Sequence, residues 1–373
     1  MADRTQVSEA SILATIFQNK VASQINRACV GFQYLPKRPL DPGAQNITWD
    51  IKSGSAGSAG TAPIADGANA TNIGVSTLGK ASLNVVTYHK GFSVTRLATF
   101  LANWSGNPSD LKNIKMFELD DAAQTLGVDM AVDTLTGDGY GDGTNIPASG
   151  FLAPDPSDAT KHTGAFMDTG SYAGVARSTI TQFKGNPMNL KAETGGALSL
   201  APMRKMISKI VSRDPLSRRP TVILASTLCY DQFVSIFDAQ RRYDIDVLRT
   251  QAGNEIRLDA GTEVATFDGI PVIRDTRIPE TTTGTLLFWN LDELAIRYVP
   301  MPSAADYEQG NVTVSPIVNT IGSGNMSTGT GIMGEIIKLG MLGNKETYVI
   351  YTYWQAQCET PSSCGYMYNI SLT

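Results

Sequence analysis

The run Gly74-Val75-Ser76-Thr77-Leu78-Gly79-Lys80-Ala81 comes within one residue of a phosphate-cradling loop. Such a loop needs Ser or Thr after its lysine to hold magnesium, and a helix beyond it whose N-terminus faces phosphate. Ala81 occupies that place and a strand-like segment follows, so nucleotide binding is rejected. Asp138 and Asp142, within Gly137-Asp138-Gly139-Tyr140-Gly141-Asp142-Gly143, could offer oxygens to calcium. That run follows a helix rather than a strand, which removes a dinucleotide site, and a glycine-rich helix stop is the simpler account. The two histidines, His89 and His162, lie in no HExxH pattern and no His/Cys cluster. No GxSxG elbow occurs, and the pair Asp120-Asp121 falls on the solvated side of a helix. A hydrolase therefore lacks a nucleophile and a base. No catalytic set, metal or cofactor is expected.

Composition narrows the partners. The 373 residues suffice for two ordinary domains, and 42% apolar with 17% charged residues describes a folded chain. A net charge of −5 argues against a dedicated nucleic-acid surface, which needs clustered Lys and Arg. The one basic cluster, Arg213 with Arg218 and Arg219, is interrupted by Asp214 and Pro215. It reads as a solvated turn or an inter-subunit ion pair, with nucleic-acid contact as the alternative. Cys29, Cys229, Cys358 and Cys364 match neither a CxxC motif nor zinc spacing, so free thiols are the default, while a Cys358 to Cys364 bridge across the turn at Pro361 stays open. No secretory h-region is visible at the N-terminus, and no apolar run approaches the length of a membrane span.

The elements that would carry any function include two strand-like segments around a small-residue insert. Asn46 to Lys52 alternates, with Ile47, Trp49 and Ile51 on one face and Thr48, Asp50 and Lys52 on the other. Ser82 to Lys90 is strand-like but less regular. Between them, Gly54 to Gly60 and Pro63 to Ala70 offer almost nothing large to bury. An isolated ribbon is marginal in water, and ordering it costs about 1–2 kcal/mol per residue, so such an arm is expected to be ordered by neighbouring surfaces. That points to assembly.

Elsewhere, residues 8 to 25 predict an amphipathic helix with Ile12, Leu13, Ile16, Phe17, Val21 and Ile25 on one face, tethered by a segment containing Pro36, Pro39 and Pro42. Leu111 to Leu135 predicts a long helix: Leu119, Ala122, Ala123, Leu126 and Met130 recur at helical spacing, while Lys112, Lys115, Glu118, Gln124, Thr125 and Asp133 face away. Ala153 to Thr194 is polar with little pattern. Helices are then expected at 200–211 and 228–239, and strands at 221–225, 269–273, 285–289, 294–299, 335–342 and 346–358. In the last, Ile350, Thr352 and Trp354 alternate with Tyr351 and Tyr353.

This order of parts resembles the major capsid proteins of tailed bacteriophages, which share the HK97-like fold. The resemblance rests on the helical arm, the arm around Trp49 and Pro63-Ile64-Ala65-Asp66-Gly67, and Phe92-Ser93-Val94-Thr95-Arg96. It continues through Leu135-Thr136-Gly137-Asp138-Gly139, Gly150-Phe151-Leu152, Phe267-Asp268-Gly269-Ile270-Pro271-Val272, and Leu287 to Ile296. The resemblance implies an α+β fold with an N-terminal arm (1–45) and an extended loop (46–95). It further implies a peripheral domain (96–196 and 296–358) with a spine helix, and an axial domain (197–295 and 359–373). It implies a structural subunit of an icosahedral head, forming hexamers and pentamers around double-stranded DNA in the virion and assembled in the host bacterial cytoplasm. Separate scaffolding, portal and decoration proteins would be its partners, contact with DNA would be non-specific, and no membrane is involved. Expected inter-subunit contacts are Ile47, Trp49, Ile51, Pro63, Ile64, Ile16 and Phe17. Some relatives crosslink through a lysine of the loop; Lys52, Lys80 and Lys90 match by location only, and read as ordinary surface lysines. An encapsulin shell is the alternative within the fold. A tail-tube or decoration protein is disfavoured by the long helix.

Overall fold

A computed structural model describes residues 30–41, 44, 46–52, 78–97, 100, 108–137, 148–152, 164–178, 180, 183–238, 265–280, 282–299 and 335–372. The expected helix at 8–25, the insert at 54–70 and the Asp138–Asp142 run lie outside these residues. The chain divides into two compact units. One comprises 1–48, 82–150 and 295–357, and the other 49–81, 151–294 and 358–373. The stretch 151–196, expected with the peripheral domain, thus falls in the second unit. No described helix is long and apolar enough to cross a membrane.

The first unit is a helix laid on a sheet. The long helix runs Pro108–Thr136, about 43 Å at 1.5 Å per residue. It buries Leu119, Ala122, Ala123, Leu126, Met130, Ala131 and Leu135, a stripe at three- and four-residue intervals. The helix packs on the strand Val86–Thr95. That strand is antiparallel to the long strand Lys345–Cys358, which also pairs with Glu335–Leu342. A short strand, Lys37–Pro39, runs parallel to Leu294–Tyr298 and completes the sheet. On the long strand Ile350, Thr352 and Trp354 are buried, whereas Tyr351 and Tyr353 are half-buried, as the alternation requires. Trp354 meets Phe32 edge-on at 6.2 Å and Tyr88 at 5.2 Å between ring centroids.

Asp133 departs from expectation. Helical spacing puts it on the outer face of the helix, yet it is half-buried and accepts a hydrogen bond from the Tyr88 hydroxyl. The same phenol oxygen accepts from the Ala148 N–H at 3.0 Å. Burial first, and the bond to Asp133 second, push the Tyr88 pKa far up. The helix stop at Gly137 has a steric reason beyond glycine's weak propensity: a Cβ there would stand 2.1 Å from the Ala148 carbonyl oxygen. Gly150 donates its N–H to the Gly137 carbonyl at 2.8 Å, so the chain returns directly onto the helix end.

The second unit is built on a six-stranded mixed sheet. Its order is Asn186–Asn189, Gly365–Ser371, Thr283–Trp289, Val222–Ala225, Ile270–Arg274, Ala265–Phe267. Val222–Ala225 is buried at every position, the mark of an interior strand covered on both faces. It runs parallel to Ile270–Arg274, and the helix Thr227–Asp238 lies in the connection between them. The helix Leu200–Arg213 places Met203, Met206, Ile207 and Ile210 into the same core as Ile223, Phe233, Phe288 and Met367.

Candidate functional site

The strand Asn46–Lys52 pairs with Leu78–Asn84 as a two-stranded ribbon, the base of the expected arm. Its apolar face is largely occupied within the chain. Ile47 is buried, and Trp49 and Ile51 are half-buried. The Trp49 indole N–H donates to the Glu359 carbonyl at 3.2 Å, and its ring lies 6.5 Å from that of Tyr172. On the partner strand, a Cβ at Gly79 would meet the Ile180 side chain at 3.2 Å. Within the chain, then, Trp49 already has partners, while Trp49 and Ile51 keep part of their surface exposed. Leu78, 67% exposed, is an apolar side chain the ribbon does present outward. Pro63, Ile64, Ile16 and Phe17 lie outside the described residues.

The seat beneath Trp49 comes from the stretch read as patternless. Tyr172 is fully buried; its hydroxyl accepts from the Cys358 N–H at 3.0 Å and its ring stacks on Phe183 at 5.9 Å. Arg177, also fully buried, donates to the carbonyls of Thr169 at 2.7 Å, Gly164 at 2.8 Å and Ala165 at 3.1 Å. Its guanidinium lies 5.8 Å from the centre of the Tyr172 ring. Burial pulls the arginine down to about 10, a value at which it keeps its charge at neutral pH. One buried cation thus gathers main-chain carbonyls that no strand ladder satisfies.

A second polar centre closes the helix Leu200–Arg213. Asp214 caps that helix, its N–H donating to the Ile210 carbonyl, and its carboxylate is buried. Oδ2 accepts from the Leu216 N–H at 3.2 Å, the Arg218 N–H at 2.9 Å and Arg218 Nε at 3.0 Å, while Oδ1 accepts from Arg218 Nη2 at 3.0 Å. Arg218 Nη1 reaches Glu293 as well. Burial alone would raise the Asp214 pKa, but the hydrogen bonds and charge of Arg218, with the Leu216 N–H, outweigh it and lower the pKa. Arg219 pairs with Asp268 at 3.2 Å and Arg213 donates to the Gly185 carbonyl. The basic cluster read as a solvated turn or an inter-subunit pair is thus tied up inside its own unit.

Among the described residues, the reactive side chains do not converge on a catalytic geometry. Cys229, Cys358 and Cys364 are buried free thiols, so the bridge left open by the sequence is not formed. Burial pushes Cys229 up to about 12, and burial followed by a hydrogen bond with Cys364 raises Cys358. Thiols held protonated are poor nucleophiles. Among the described residues no group of three or more His, Cys, Asp or Glu side chains could hold a metal ion. His89 lies against the Tyr351 ring at 5.9 Å. Lys80 sits within the strand Leu78–Asn84 and not at a helix N-terminus, which is the wrong place for a phosphate loop.

No protein-family model matches this chain, and no curated protein does. Solved structures do. The capsid asymmetric unit of cyanophage A-1(L) superimposes with a TM-score of 0.67 at 19% identity, covering 94% of this chain and 95% of that one. The SrpI encapsulin of Synechococcus elongatus PCC 7942 gives a TM-score of 0.52 at 11% identity, with 97% and 96% covered. The capsid of the native GTA particle gives 0.50 at 10% identity, with 99% of each chain covered. The similarity runs through nearly the whole length in every case, so the chain has the α+β, HK97-like fold of phage capsid subunits.

Proposed function

We propose that this protein is the structural subunit of a phage head, assembling into hexamers and pentamers that enclose double-stranded DNA in the virion. The observation that carries this reading is the near full-length superposition on the cyanophage A-1(L) capsid subunit. The ribbon of Asn46–Lys52 and Leu78–Asn84 supports it, because its sequence insert of small residues offers little to bury and a two-stranded ribbon is marginal by itself. On this reading the role is non-catalytic. The Pro108–Thr136 helix is the spine of a peripheral domain, and the sheet around Val222–Ala225 is the heart of an axial domain. Assembly takes place in the host cytoplasm, with separate scaffolding, portal and decoration proteins and non-specific DNA contact. An encapsulin-type shell is the second reading, favoured by the SrpI superposition but with the lower TM-score and identity.

Sedimentation velocity of the purified chain over a range of salt and protein concentrations tests the proposal. Rings of five or six chains, or far larger closed particles, are expected. A single 39.9 kDa species under every condition, with the 54–70 insert protected from protease, would count against it; lack of assembly by itself would not, because a separate scaffolding protein is part of the reading.

A further inference from the structure

A buried cysteine is by default a small apolar side chain, inert where no second sulfur stands beside it. Cys358 and Cys364 have each other. Both are fully buried in the second unit, and their side chains share a hydrogen bond. The backbone on either side is pinned. The Cys358 N–H donates to the Tyr172 hydroxyl at 3.0 Å, and Asn186 Nδ2 donates to the carbonyls of Ser362 at 2.7 Å and Cys364 at 2.9 Å. Between the two cysteines the chain reverses through the 3-10 turn Pro361–Ser363. The turn is closed by the Ser363 N–H on the Thr360 carbonyl at 3.1 Å and the Cys364 N–H on the Pro361 carbonyl at 3.2 Å. Cys364 Sγ also accepts the Asn290 N–H at 3.4 Å. These contacts bring the two sulfurs together before any bond joins them, so folding has already met the entropy cost of closing that loop. Cys229, the other described cysteine, hydrogen-bonds Ser226 instead.

We propose that Cys358 and Cys364 are a redox pair that folds as two thiols and closes to an intrachain disulfide when the folded chain meets a small-molecule disulfide. The thiolate of one cysteine attacks the oxidant RSSR, giving a protein–SR mixed disulfide and one RSH. The second thiol then attacks the protein sulfur of that adduct and expels the other RSH. The protein gives up two electrons and two thiol protons, and the oxidant is reduced to two thiols. Access comes through the turn. Ser362 Oγ and Asn186 Oδ1 are buried without a hydrogen-bond partner, so opening Pro361–Ser363 to water gains bonds for both. On the shell reading, a head built in a reducing cytoplasm meets oxidants only outside it, which sets the bridge after assembly. The pairing itself does not depend on that reading.

The test uses the purified full chain, 2-hydroxyethyl disulfide as the oxidant, and the variants Cys358→Ser and Cys364→Ser. Trypsin leaves both cysteines in one peptide, 346–373, because Lys345 is the last lysine or arginine of the chain. After the folded wild type is oxidised and its remaining thiols are alkylated in urea, mass spectrometry should find that peptide lighter by two hydrogens and free of adducts. Its thermal unfolding should shift upward by about 3–8 °C, and dithiothreitol should reverse the shift. Neither serine variant should show an upward shift on oxidation. A peptide that stays fully reduced while the chain is folded, or that carries a separate adduct on each cysteine, refutes the pair. So does an upward shift that persists in the serine variants. None of these readings depends on assembly, so failure of the pair and failure of the shell reading are separate results.

Discussion

The indole N–H of Trp49 donates to the Glu359 carbonyl, joining residues 310 positions apart in sequence. The ribbon of Asn46–Lys52 and Leu78–Asn84 is therefore tied to its own chain at Trp49. Trp49→Phe keeps the ring and removes the hydrogen bond, and should cost about 1 kcal/mol. Trp49→Ala removes the packing on Tyr172 as well and should cost about 2–4 kcal/mol, because the side chain is only half-buried. Urea denaturation of the unassembled chain measures both; a loss seen only in assembly and not in folding would mean the tryptophan belongs to the neighbour.

Arg177→Met should destabilise the second unit by about 3 kcal/mol or more, since the carbonyls of Thr169, Gly164 and Ala165 lose a charged donor where water does not reach. Arg177→Lys should recover little, because an ammonium cannot span the same carbonyls as a planar fork. Equal stability of the lysine variant and the wild type, by urea denaturation, would show the fork to be dispensable.

Leu126→Ala tests the seating of the long helix. The side chain is 5% exposed, so its truncation should cost about 2–5 kcal/mol. A measured change under about half a kcal/mol would place that face in solvent.

Asp214 makes stability depend on acid. Its folded pKa lies below the unfolded value of about 3.9, so its stabilisation is fully present above that value and is lost as pH falls through the folded pKa. Lowering the pH from about 5 to 2 should therefore destabilise the wild type more than Asp214→Asn, whose turn carries no titrating group at that position. Parallel slopes for the two proteins would contradict this.

Regular elements were legible wherever burial follows the backbone period. Ile350, Thr352 and Trp354 on the long strand, and Leu119 to Leu135 on the helix, are such cases. The strand Gly365–Ser371 was not visible, because Gly365, Tyr366 and Met367 are buried in succession and Asn369 turns to φ +57°, which leaves no alternation. The stretch around Tyr172 looked patternless because an arginine and close glycine contacts order it. A Cβ at Gly185, for example, would stand 2.2 Å from the Phe166 backbone. Asp133 was misplaced because helical spacing could not foresee that Tyr88 would approach it. In the turn, Asp214 and Arg218 stand four residues apart and could have been paired from spacing. Glu293, 75 residues beyond Arg218, could not. The arm was recognisable through its alternation at Ile47, Trp49 and Ile51; its seat on Tyr172 and Glu359 was not, because that contact is long-range.

Cryo-electron microscopy of the particles formed by the full chain tests the central claim most directly. The account predicts closed icosahedral shells with rings of five and six subunits, each subunit fitting the described residues with Trp49 seated on its own Glu359. Open filaments without five-fold rings, or shells in which Trp49 is seated on a neighbouring chain, would contradict it.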